Sequence, residues 1–250
     1  MVRMKLEMKR AVRNKFYVIF TLINLLNVLL GYILLVTIDK VQNVTFQDMF
    51  ESVYTVYTQF GTLLFSAFII MQFYVDYKEK NIFFYKTLGF SELRYYLTKV
   101  GMILLATIIG SAFSSILVCV PYAKLGMLPV VFLKIEGVMI YYTLIISTIG
   151  FIFSNFLVAF FSSFFLWIAG IVVSAGSPFM EYFAYYDAST TDYHHLISYL
   201  DGKIEITSLL HYIAGNYVYD LIVLWLFYVY VGGGQRMEFS HLAILFPMSI

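Results

Sequence analysis

Residues 16–38, "FYVIFTLINLLNVLLGYILLVTI", run for 23 positions without one charged side chain. In water such a helix would have no polar face to show. About 20 apolar residues in helical form span the hydrocarbon core of a bilayer. The pattern recurs at about 53–75, 100–120, 137–157, 159–176 and 213–231, the last interrupted by Asp220. The runs are continuous and not alternating decamers, which points to helices and away from an outer-membrane barrel. Composition agrees: 61% of the chain is hydrophobic and 12% charged, where soluble domains carry about 25% charged residues. The expectation is an all-α membrane protein with six transmembrane helices, one transmembrane domain over residues 1–250.

Orientation follows from the basic residues. Arg3, Lys5, Lys9, Arg10, Arg13, Lys15, Lys78, Lys80, Lys86, Arg94, Lys99 and Arg236 fall on one side, and Lys40, Lys124, Lys134 and Lys203 on the other. Lys and Arg collect in cytoplasmic segments, so both termini and residues 76–99 are expected inside. The outer side carries acids, Glu136, Asp187, Asp192 and Asp201 among them, and its largest segment spans about 177–212. "HHLISYL" and "ITSLLHYIAG" there read as short helices lying at, or dipping into, the outer interface. Tyrosines near span ends, such as Tyr54, Tyr57, Tyr95 and Tyr141, read as interfacial anchors and core.

The first fifteen residues place Met1, Met4, Met8 and Val12 on one face and Lys5, Lys9 and Arg13 on another. That is a basic amphipathic helix for the anionic inner leaflet. No small-residue cleavage site follows the first apolar run, so the start reads as retained and not as a signal peptide.

Residues 76–101, "DYKEKNIFFYKTLGFSELRYYLTKVG", combine five basic residues with an aromatic run. A helix is expected from Asp76 to Leu88, stopped by Gly89. Ser91 is placed to cap a second helix, with Glu92 in its first turn. Phe83, Phe84 and Phe90 either rest on lipid headgroups or form an apolar tip, rimmed by Lys80 and Lys86, that docks on a cytoplasmic partner.

Other constellations carry less. His194, His195 and His211 match no zinc-ligand spacing, so no metal site is expected. The spans hold serines but no nearby His or Lys base, so no catalytic residues are assigned. Gly110/Ser114, Ser111/Ser115 and Gly170/Ser174 are small-residue pairs four apart, suited to close helix packing. Asn24 and Asn27 share a face of the first span and either cross-link helices or meet a substrate, and Asp220 is a candidate for a water-accessible outer vestibule. Only Asp220 stands out as an intramembrane charge, which argues against a proton- or ion-coupled carrier. A net charge of +1 and one cysteine, Cys119, predict neither a nucleic-acid partner nor a disulfide.

With its basic opening helix "LEMKRAVRNKF", six spans, inner segment 76–99 and outer helices before span six, the chain resembles a permease subunit of the ABC type 2 family of ATP-driven exporters. The resemblance implies that 76–99 carries a coupling helix, which docks an ATPase through Lys80, Phe83, Phe84, Lys86 and Phe90. Glu79, after span two, and Lys99, opening span three, match the family's anchors for that loop. No G-x-x-x-x-G-K-[ST] phosphate loop occurs, and "VGGGQRM" at 231–237 does not supply one. ATP and Mg would therefore sit on a separate ATPase, with no cofactor on this chain. The resemblance further implies two permeases, as a homodimer or with a sister subunit, with the first and fifth spans near the interface. Gly170 and Ser174 offer the packing face there. By analogy with the family, the substrate is an amphipathic peptide, antimicrobial or drug. The tail "HLAILFPMSI" is more apolar than the family's endings. From the residues alone, a membrane scaffold or regulator, and more weakly an intramembrane enzyme, remain open.

Overall fold

The computed structural model describes residues 2–87, 89, 91–174, 176, 184–187 and 190–233, with side chains at 2–6, 83, 84, 86, 174 and 231–233 left aside. A twelve-residue helix, α1 (Val2–Arg13), comes first. Six helices long and apolar enough to cross a membrane follow. They are α2 (Phe16–Thr37), α3 (Phe46–Lys78), α5 (Glu92–Cys119), α6 (Leu128–Ile152), α7 (Phe156–Ser174) and α9 (Ile206–Gly233). Between them lie α4 (Asn81–Thr87), on the side of α1, and α8 (Thr191–Leu200), on the opposite side. The chain is an all-α multi-pass membrane protein.

Helix ends are set by local chemistry. Thr45 and Asp48 form a reciprocal capping box at the start of α3, satisfying donors that a helix N-terminus leaves open. Ser91 Oγ accepts the Arg94 N–H at the start of α5, with Glu92 in the first turn. Asn155 Oδ1 accepts from the Leu157 and Val158 N–H groups, so the break between α6 and α7 falls at 153–155.

Among the boundaries that differ from the sequence expectation, three stand out. The helix expected from Asp76 to Leu88 does not begin at Asp76: α3 continues to Lys78, the chain turns at Lys80, which adopts φ +56°, and α4 starts at Asn81. No Gly or Pro marks that turn, so its sequence signal is weak. The fourth span begins at Leu128 and not 137. Lys134 and Glu136 interrupt the hydropathy there, yet both are drawn into the helix and buried. "ITSLLHYIAG" is the opening of α9, continuous with the sixth span and not a separate outer helix.

α6 is the central helix. Of its most apolar window 78% is buried, against 17% for α7 and 22% for α9, which stand at the periphery. α3 and α5 flank α6, and α2 packs on both. Small residues set the closest approaches. A Cβ on Gly31 would lie 2.9 Å from Val53 Cγ2, and one on Gly110 2.3 Å from Asn24 Nδ2.

Tyrosines act less as surface anchors than as staples of this core. Tyr57 OH donates to Asn24 Oδ1 and pairs with Ser114 Oγ, both at 2.8 Å, joining α2, α3 and α5. Tyr96 and Thr148 join α5 to α6 at 2.8 Å. Tyr142 donates to the Thr58 carbonyl and Tyr77 to the Phe151 carbonyl. With no water in the bilayer core, these bonds offset the cost of burying the hydroxyls.

Candidate functional site

Two buried polar clusters lie at opposite ends of the bundle. The inner cluster is centred on Asp76, in the last turns of α3 and fully buried. Arg10 Nη1 of α1 reaches its Oδ1 at 2.6 Å, and Lys99 Nζ of α5 its Oδ2 at 2.7 Å. Tyr95 OH donates to Oδ2 at 2.8 Å and Asn81 Nδ2 of α4 to Oδ1 at 3.1 Å. One carboxylate therefore holds four elements together. Charge-assisted bonds of this kind are roughly twice as strong as neutral ones.

Around that hub, Glu79 Oε2 accepts from Arg10 Nη2 and from Asn81, each at 2.8 Å. Lys99 also pairs with Glu7 Oε2 at 2.9 Å, and Tyr85 OH of α4 donates to Glu7 Oε1 at 3.1 Å. Burial alone would lower the Arg10 pKa, but Asp76, with Glu7 and Glu79, outweighs it and holds the guanidinium above its ordinary value. Burial first, then the neighbouring Glu7, pushes the Tyr85 phenol up. A cavity of about 60 Å³ lies under α1, beside Asn14, Gln72 and Lys99.

The anchors matched by resemblance, Glu79 and Lys99, thus meet in one ionic network. Asp76, Arg10 and Glu7 complete it, although none of the three was singled out from the sequence. Their signal was present as charge within reach of a span end, but pairing across 66 residues between Arg10 and Asp76 is not legible in one dimension. Lys80 is exposed at the α3–α4 turn. Phe83, Phe84 and Lys86 lie on α4, their side chains outside the described residues, as are Phe90 and the tail 241–250.

The outer cluster is centred on Asp192, in the first turn of α8 and 5% exposed. Its Oδ1 receives Lys134 Nζ of α6 and Asn216 Nδ2 of α9, at 2.7 and 2.8 Å. Its Oδ2 receives Tyr54 OH of α3 at 2.8 Å. Lys134 also lies 5.6 Å from the centroid of the Tyr54 ring. Lys134 and Glu136 are six and eight residues past Leu128, roughly 9 and 12 Å along the helix from its outer end. The outer segment is therefore pinned into the bundle and does not merely lie over it.

Four more contacts complete this end. Gln59 donates to Asp187 at 2.8 Å, Tyr185 to Asn216 at 3.0 Å, Tyr186 to Asp220 Oδ2 at 3.2 Å and Thr107 to Glu136 Oε1 at 2.8 Å. Asp220 is thus enclosed at 3% exposure, while Asn24 and Asn27 are fully buried between helices. Asn24 Nδ2 and Asn27 Nδ2 donate to the carbonyls four residues back, Phe20 and Ile23. A cavity of about 30 Å³ between α3, α6 and α7 is bordered by Tyr141, Tyr142, Trp167 and Tyr186. Gly170 lies on the peripheral α7, among exposed Leu166, Ile168 and Val172; the Ser174 side chain is outside the described residues. His195 stacks on Tyr212 at 3.5 Å.

The described residues thus form six membrane-length helices, a short helix on the α1 side and two buried polar clusters. The peptide export permease protein YydJ family matches residues 4–236. The chain belongs to that family. It is also 30% identical over 228 residues, 88% of this chain and 95% of the relative, to the probable peptide export permease protein YydJ of Bacillus subtilis (strain 168). No solved structure matches. Membership in the YydJ family agrees with the ABC-exporter resemblance read from the sequence. This permease is a membrane-embedded export subunit.

Proposed function

We propose that this permease is the membrane subunit of an ATP-driven exporter that carries peptides out of the cell. The hydrolysing subunit is a separate cytoplasmic ABC ATPase, which binds ATP and Mg. Both termini and the α4 turn face the cytoplasm, in keeping with the excess of Lys and Arg on that side. Two copies, or this chain and a sister permease, form the working unit with α2 and α7 near the interface.

The observation that carries the reading is the convergence of α1, α3, α4 and α5 on Asp76. A partner that pushes on α4 acts through Asn81 and Tyr85 on a network whose other members sit in two transmembrane helices. Rigid, charge-paired connections of this kind are how a local displacement reaches packed helices. Phe83 and Phe84 supply the apolar anchor, and Lys80 and Lys86 the rim.

The test is co-purification of an ATPase with the permease, alongside export, in variants that insert normally. Truncated aromatics at an interface centre cost about 2 kcal/mol or more, and rim charges less. The F83A/F84A double variant is expected to lose the ATPase or uncouple hydrolysis from export, and Lys80→Ala to do less. A double variant with full ATPase content and full export would refute the docking role of α4.

A further inference from the structure

The outer half of the bundle is short of positive charge. Among the described residues, Glu136, Asp187, Asp192 and Asp220 are all buried there, at 4, 7, 5 and 3% exposure, against one buried cation, Lys134. Lys134 is already committed to Asp192. Lys124 is exposed, and Lys203 pairs at the surface with Asp201. His195 does not make up the deficit. Burial lowers its pKa below the ordinary 6.5 by more than Asp192 raises it, with Lys134 and His194 adding to the fall, which favours the uncharged imidazole. The stretches 177–183 and 188–189 contain no Lys or Arg.

Two of the four acids stand apart. Glu136 has the Thr107 hydroxyl on Oε1 and the Ser111 hydroxyl nearby, but no cation, and its Oε2 has no hydrogen-bond partner within bonding geometry. Asp220 has only the Tyr186 hydroxyl on Oδ2, and its Oδ1 has none. They lie within electrostatic reach of each other, on facing helices α6 and α9. Tyr186, the cap on Asp220, also borders the 30 Å³ cavity between α3, α6 and α7. A carboxylate at such depth costs several kcal/mol unless a positive charge accompanies it.

From this geometry we infer that Glu136 and Asp220 form a cation-receptive site, reached past Tyr186, that takes an ammonium or guanidinium group of the exported peptide. When the bundle opens, a basic side chain that enters supplies the positive charge these two acids lack. Aromatic walls from Tyr141, Tyr142 and Trp167 suit the stem of a lysine or arginine. The preferred substrates are therefore cationic, amphipathic peptides. This rests on the peptide-export reading and specifies its substrate class.

The experiment uses the full chain in lipid nanodiscs and three labelled synthetic peptides of matched length and aromatic content, one dicationic, one neutral and one dianionic. Fluorescence anisotropy reads affinity. The wild-type protein is expected to bind the dicationic peptide roughly tenfold tighter than the neutral one. E136Q and D220N each reduce that preference, and E136Q/D220N brings it to within about twofold while leaving neutral-peptide affinity unchanged. Retained neutral binding shows that the variants are folded, and either single variant suffices if the double one does not insert. If the wild type shows no preference for the dicationic peptide, or if the double variant keeps it, the site is refuted while the peptide reading stands. If no peptide of any charge binds, the peptide reading falls and the site with it.

Discussion

The inner and outer clusters use the same parts to opposite ends. At the inner end, Glu7, Asp76 and Glu79 face Arg10 and Lys99, so charge is nearly balanced. Arg10 and Glu79 keep 25% and 54% of their side-chain surface in contact with solvent. At the outer end, among the described residues, one buried lysine stands against four buried acids and pairs with Asp192. Balanced, partly hydrated networks tolerate displacement, because each charge keeps a partner when one bond breaks. A buried network with one cation depends on that cation. The difference teaches which end can transmit movement and which must be opened to release it.

The largest expected effect is at Lys134. Lys134→Met leaves Asp192 buried without its counter-charge and is expected to destabilise the protein by roughly 3 to 5 kcal/mol, the scale for one partner removed from a buried pair. Denaturant unfolding in mixed micelles measures it. K134M/D192N is expected to recover at least half of the loss, since the uncompensated charge goes with it. A K134M loss no greater than that of any inner-cluster variant would erase the contrast between the two ends.

Asp76→Asn comes next. Lys99 keeps Glu7 and Arg10 keeps Glu79, so the loss is expected near 2 kcal/mol, the scale of one charged hydrogen bond. Its larger consequence is on function: hydrolysis by the bound ATPase should continue while export falls. If export and stability fall in parallel, Asp76 only holds helices together.

Tyr54→Phe removes one of three donors to Asp192 and is expected to cost about 1 kcal/mol, measured in the same unfolding assay. Its inner counterpart, Tyr95→Phe, removes one of four donors to Asp76 and should cost less.

The smallest effect is a pH dependence at the outer end. Because the folded state holds His195 below its ordinary pKa of 6.5, the unfolded chain takes up that proton first. Stability is therefore full above about pH 6.5 and falls as the pH drops below it. His195→Gln should flatten that part of the curve, read as unfolding midpoints across the acid range in both proteins.

Much of the fold was legible because a bilayer leaves little freedom. An uncharged run such as 16–38 has few uses except to span. Ser91 and Glu92 announced the start of α5, because capping is a local interaction among neighbours in sequence. Glu79 and Lys99 were legible only through family resemblance, and Gly170 and Ser174 only as a pattern of small residues.

Hydropathy placed the start of the fourth span at 137, since a window sees Lys134 and Glu136 as breaks. Their burial is permitted by Asp192, 58 residues away from Lys134, and by Thr107. The sequence alone therefore determined that this chain is six membrane helices with its basic residues gathered on one side, because apolar runs and charge asymmetry are sums over neighbours. Tertiary structure alone decided which charges share a pocket and which are left without a partner. Pairing between distant residues depends on how helices pack, and only packing withdraws a charge from water.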